Sequence, residues 1–90
     1  MKTFRDLQVG DLIFEIDYFS DVIRISKINE IQYFGLGDIY FHLSVVLGKY
    51  FPSLLYISSK ELDNTIRDNV VSIVFANESD FLKAIENENI

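Results

Sequence analysis

Nine residues, Ile39 to Leu47, limit what this chain can fold into more than any others. Ile39, Phe41, Leu43, Val45 and Leu47 alternate strictly with Tyr40, His42, Ser44 and Val46. A strict period of two is the signature of a strand with one buried face and one facing solvent or a partner. Just upstream, Gly35-Leu36-Gly37-Asp38 sets two glycines in four residues between apolar runs, which predicts a tight turn closing a hairpin. The chain around this strand therefore reads as further antiparallel sheet.

Upstream, Thr3 to Leu7 fits a single turn with Phe4 and Leu7 on one side, and Val9-Gly10-Asp11 turns the backbone into a first strand, Leu12 to Ile16. Leu12, Phe14 and Ile16 are assigned inward, because the alternate set Ile13, Glu15 and Asp17 ends in two carboxylates. Ile13 then needs cover from another element. In Val22 to Ile28 the apolar positions step by two and then by three, predicting a bulge or bend near Ser26-Lys27. A bent strand lets a short sheet curl, and Ile31 and Tyr33 continue it on one face.

Downstream, Gly48-Lys49 breaks the central strand and Leu54 to Ile57 reads as a fourth. Ser58 and Glu61 have capping-box spacing, which predicts a short helical turn. Asp68-Asn69 marks another turn, and Val70 to Phe75 is an almost continuous β-branched run, as in a strand covered on both faces. The last segment changes character: Asn77 is a candidate N-cap, acids follow it, and Phe81, Leu82 and Ile85 form a narrow apolar stripe. A helix this short is marginal alone and must dock on the sheet, with Ile13 and its neighbours as candidate receivers. The expected architecture is mainly β: a small five-stranded barrel with a short helical turn and a C-terminal amphipathic helix at about 78–87, one domain over 1–90.

Composition narrows the classes of function. Ninety residues bury only roughly 60% of their unfolded surface, so the core must be efficient, and eight Phe and five Tyr supply it. There is no cysteine, hence no disulfide or thiolate metal site, which fits a reducing compartment such as the cytoplasm. No apolar run reaches a membrane span and the N-terminal residues lack the apolar core of a signal peptide, so no membrane association is expected. A net charge of −6 repels phosphate backbones and argues against nucleic acid.

Chemistry-bearing constellations are absent from the sequence. His42 is the single histidine and stands on the polar face of its strand without a second ligand or triad partner at usable spacing. Gly35-Leu36-Gly37 starts like a phosphate loop but lacks the third glycine and the following helix. Asp17 and Asp21 could share a site, yet no calcium-loop spacing surrounds them. The reading is non-enzymatic, with no catalytic residue, cofactor or metal. The informative group is Tyr18, Phe19, Tyr50 and Phe51, aromatics set in loops instead of at alternating core positions. They are the candidate partner-binding residues, suited to a protein partner or a second copy of the chain if their loops meet.

Val9-Gly10-Asp11 opening a strand, then a loop, then Ile23-x-Ile25-x-x-Ile28 on a bent strand resembles the SH3-like small barrels, including their KOW and Tudor-type branches. The resemblance covers Leu7 to about Leu47. Barrels decorated with extra elements in this way also resemble small proteins of gut bacteria and their phages, which implies a phage or mobile-element origin. The KOW resemblance implies nucleic-acid binding, but the loop that is glycine-rich and basic there is Asp17-Tyr18-Phe19-Ser20-Asp21 here. The Tudor resemblance implies an aromatic cage, which Tyr18, Phe19, Tyr50 and Phe51 could imitate. Two expectations result: a protein-interaction or structural module acting through loop aromatics or a strand edge, and, as the alternative, a nucleic-acid binder collecting Arg24, Lys27, Lys49 and Arg67 into a basic stripe.

Overall fold

A computed structural model describes residues 1–20, 22–48 and 53–87. It contains one six-stranded antiparallel sheet curled into a half-barrel and one C-terminal helix. The strands are β1 (Leu12–Asp17), β2 (Val22–Tyr33), β3 (Ile39–Leu47), β4 (Ser53–Ile57), β5 (Ile66–Asp68) and β6 (Ser72–Phe75), in the order β4-β3-β2-β1-β6-β5. The helix α1 (Glu78–Asn87) occupies the stretch where the amphipathic pattern predicts it.

The expected five strands are six. Ile66–Asp68 is a three-residue strand, too short to show a period, and it pairs with the end of β6 through Ile66 and Phe75, Arg67 and Val74, Asp68 and Ile73. The final strand is also shorter than its β-branched run suggests: it begins at Ser72, leaving Val70 and Val71 in the turn before it. The helical turn expected at Ser58 is a pair of hydrogen-bonded turns, Glu61 N–H to the Ser58 carbonyl and Asn64 N–H to that of Glu61. The capping pair does form, Ser58 Oγ donating to Glu61 Oε1 at 2.9 Å, but it fastens a turn instead of starting a helix.

β2 is bent as its sequence predicts, with register shifts against β3 between Ile25 and Ser26 and between Ile28 and Glu30. These irregularities re-aim the side chains on either side and let the sheet curl. Inside the curl Phe4, Ile13, Ile28, Phe41 and Ile57 are buried, joined by Leu7, Ile39, Leu62, Val74 and Ala76. Phe4 is held there by backbone bonds of Phe4 to Asn64 and Arg5 to Leu62.

A second apolar cluster lies on the other side of β1, where Phe14, Ile16 and Phe75 meet Phe81 of α1, with Ala84 and Ile85 alongside. Phe81 packs its ring 5.3 Å from that of Phe14 and 5.9 Å from that of Phe75. The inward assignment of Leu12, Phe14 and Ile16 is corrected accordingly. Ile13 faces the interior of the curl, Phe14 and Ile16 face the helix, and Leu12 is partly exposed. Both faces of β1 are covered, so alternation against solvent has no meaning there. Asn77 stands directly before the helix as expected, its carbonyl accepting the Phe81 N–H at 3.3 Å, while its side-chain amide pairs with the backbone of Lys2 in both directions, at 3.0 and 2.7 Å.

Among the described residues the sheet does not close by strand pairing. Its edges, β4 and β5, are bridged by Arg67, whose guanidinium donates to the Tyr56 carbonyl and lies 3.6 Å from Glu61. Gly48, with φ +110, allows β3 to leave the sheet against β2, since a Cβ there would stand 2.7 Å from the Ile23 carbonyl oxygen. Among the described residues no helix is long and apolar enough to cross a membrane.

Candidate partner-binding surface

Two turns meet at the Val22 end of β2, and each is built on one polar side chain. Asp17, the last residue of β1, accepts the N–H groups of Phe19 and Ser20 on Oδ1 at 3.0 and 3.2 Å. Asn69 does the same for Val71 and Ser72, both at 3.0 Å. Such side-chain to backbone bonds fix a turn without strand neighbours. The two turns are tied by Tyr18 N–H donating to the Val71 carbonyl at 2.8 Å.

This frame turns apolar side chains outward. Phe19 is 88% exposed and Val70 96%, with Tyr18 and Val71 about half exposed beside them. An open cleft of about 400 Å³ runs between the turns, lined by Glu15, Asp17, Phe19, Val71 and Ser72. Phe19 and Val71 line the same cleft, and Tyr18 and Val70 stand next to them in sequence on the two mutually bonded turns, so exposed apolar residues gather at this end.

Charge lies beneath the patch. Arg24 is buried on β2 opposite Glu15, with Nη1 2.6 Å from Glu15 Oε1 and Nη2 3.9 Å from Asp17 Oδ2. Burial alone would raise the Asp17 carboxyl; hydrogen bonds from Ser20 and Phe19, with the Arg24 charge, outweigh it and hold Asp17 below the usual carboxylate range. Asp17 therefore stays ionised across the neutral range.

Of the four loop aromatics predicted as the binding group, Tyr18 and Phe19 are on this patch, and Tyr50 and Phe51 lie outside the described residues, as does Asp21. Val70 and Val71 are the members that the sequence reading placed in a strand. The signal that could have found them is Asp68-Asn69, a turn pair whose Asn side chain can bond the backbone two and three residues on.

His42, Arg24 and Arg67 take partners within the chain. His42 pairs through Nε2 with Gln32 Oε1 at 3.0 Å. Of the four residues of the basic stripe, Arg24 is ion-paired inside the curl, Arg67 spans the seam, Lys27 is exposed on the outer face, and Lys49 is outside the described residues. Among the described residues no group of three or more His, Asp or Glu is placed to hold a metal ion. A second, partly open pocket, between Ile13, Arg24, Ser26 and Leu55, has about 70 Å³, well below the size of a small-molecule site.

At the opposite end of β2 a row of rings runs over the outer face: Phe34 and Tyr40 are 4.9 Å apart and Tyr40 and Tyr56 5.0 Å. Tyr56 donates to Asp38 at 2.9 Å, and that bond raises the phenol above its ordinary range. Leu36, at the tip of this hairpin, is exposed and has φ +77.

Compared with known proteins, the chain matches no family model, no curated protein and no solved structure.

Proposed function

We propose that this protein is a non-enzymatic protein-interaction module whose contact surface is the end of the half-barrel carrying Tyr18, Phe19, Val70 and Val71. One observation carries the reading: the hydrogen bonds of Asp17 and Asn69 hold apolar side chains in solvent on two turns bonded to each other. Folding gains nothing from an outward Phe, and ordering it in advance lowers the entropy lost when a partner covers it. The scaffold is read as an SH3-like small barrel, supported by the curled antiparallel sheet and the bent β2. A reducing compartment, the cytoplasm, is its proposed place of work, supported by the absence of cysteine.

Photo-crosslinking in the cells that make the protein tests this directly. A photoreactive residue at position 19 or 70 should give a discrete adduct, and one at exposed position 83 on α1 should not. Equal yields at all three positions, or no discrete adduct at 19 and 70, would reject the surface. Sedimentation at several concentrations then separates a second copy from a different protein, because only self-association depends on the chain's own concentration.

A further inference from the structure

Resting on the proposed contact surface, we infer that its partner is a cationic, apolar peptide segment: an aliphatic or aromatic residue set on Phe19 and Val70, with a neighbouring Lys or Arg reaching the cleft between the turns. The inference comes from the charges around the patch. Glu15 and Asp17 both line the cleft and face one guanidinium, that of Arg24, so carboxylates outnumber cations there. Neither turn carries a basic residue.

The cleft walls suit a long basic side chain. The methylenes of Lys or Arg can lie along Phe19 and Val71 while the charged head stays near Glu15 and Asp17. An isolated carboxylate cluster would favour any cation; an apolar patch beside it selects a segment carrying both features.

The same field disfavours the other occupants. Two copies docked through this end would bring identical carboxylates together on chains of net charge −6, and like charges across an interface cost affinity. Phosphate backbones and anionic lipid are repelled in the same way.

Selection of displayed random peptides on the immobilised full chain is the test, with the double variant Phe19→Ser, Val70→Ser as counter-selection. Both side chains are exposed, so this variant should fold normally, and thermal unfolding checks that it does. Sequences that prefer the wild type are expected to pair Lys or Arg with a large apolar residue well above the library frequency. Their affinity should drop several-fold on raising salt from about 50 to about 300 mM, as for a partly exposed charge contact.

Discriminating sequences that are acidic or purely apolar would overturn the cationic partner while leaving the contact surface standing. If no selected sequence distinguishes wild type from the double variant, the surface itself fails, and this inference with it.

Discussion

The two ends of β2 expose similar side chains and use them in opposite ways. At the hairpin end, Phe34, Tyr40 and Tyr56 lie ring against ring, and the Tyr56 hydroxyl is bonded to Asp38. Aromatics there consolidate the sheet. At the loop end, Asp17 and Asn69 spend their side-chain oxygens on fixing the backbone, and the apolar residues beside them point away from the molecule. Exposure of an aromatic is thus poor evidence of a binding role by itself; Phe34, Tyr40 and Tyr56 cover one another, whereas Phe19 is 88% exposed.

The comparison can be broken by substitution. The largest effect is expected beneath the loop end, at Glu15→Ala, which removes the closest carboxylate from a buried Arg24; the loss should be about 3 kcal/mol, read from the urea midpoint. Tyr40→Ala at the hairpin end strips a ring with two ring neighbours and should cost about 2 kcal/mol by the same measurement. If Tyr40→Ala is neutral, the hairpin aromatics are as free as Phe19 and the contrast fails.

Acid sharpens the contrast further. The lowered Asp17 carboxyl contributes stability that is fully present above the ordinary Asp value of about 3.9 and is lost as pH falls through its lowered folded value. Asp17→Asn should therefore be less stable than wild type at neutral pH, with a difference that closes on acidification. Urea midpoints followed from pH 7 into the acid range show it; a difference independent of pH would mean that geometry alone, without charge, sets the turn. The smallest effect is Phe19→Ser, within about 0.5 kcal/mol of wild type in thermal unfolding, because the ring is in solvent before and after unfolding.

Much of the scaffold was legible because its signals are local. The alternation of Ile39 to Leu47, the Gly35-Gly37 turn and the changing step along Val22 to Ile28 each depend on residues close in sequence, and the sheet follows them. What was hidden depends on distant parts of the chain. Ile13 and Phe14 are equally buried because one faces Phe41 and Ile57 while the other meets Phe81, and a strand covered on both sides loses the alternation that would assign its faces. β5 was missed since three residues leave no period. Val70 looked like core because β-branched runs usually are, whereas Asn69 holds it in a turn. Tyr18 and Phe19 stand out in the sequence as loop aromatics, but Val70 and Val71 beside them come from more than fifty positions away.

The link between Lys2 and Asn77 has a bearing on folding order. Its two bonds join residues 75 positions apart, so they close almost the whole chain into one loop. A contact of that separation carries the full entropy of closure and gains little until the sheet already holds its two ends near each other. It belongs to the last step of assembly, after the hairpin of β2 and β3 and after α1 has docked. By the same geometry, the beginning of the chain and the base of the helix are neighbours in space.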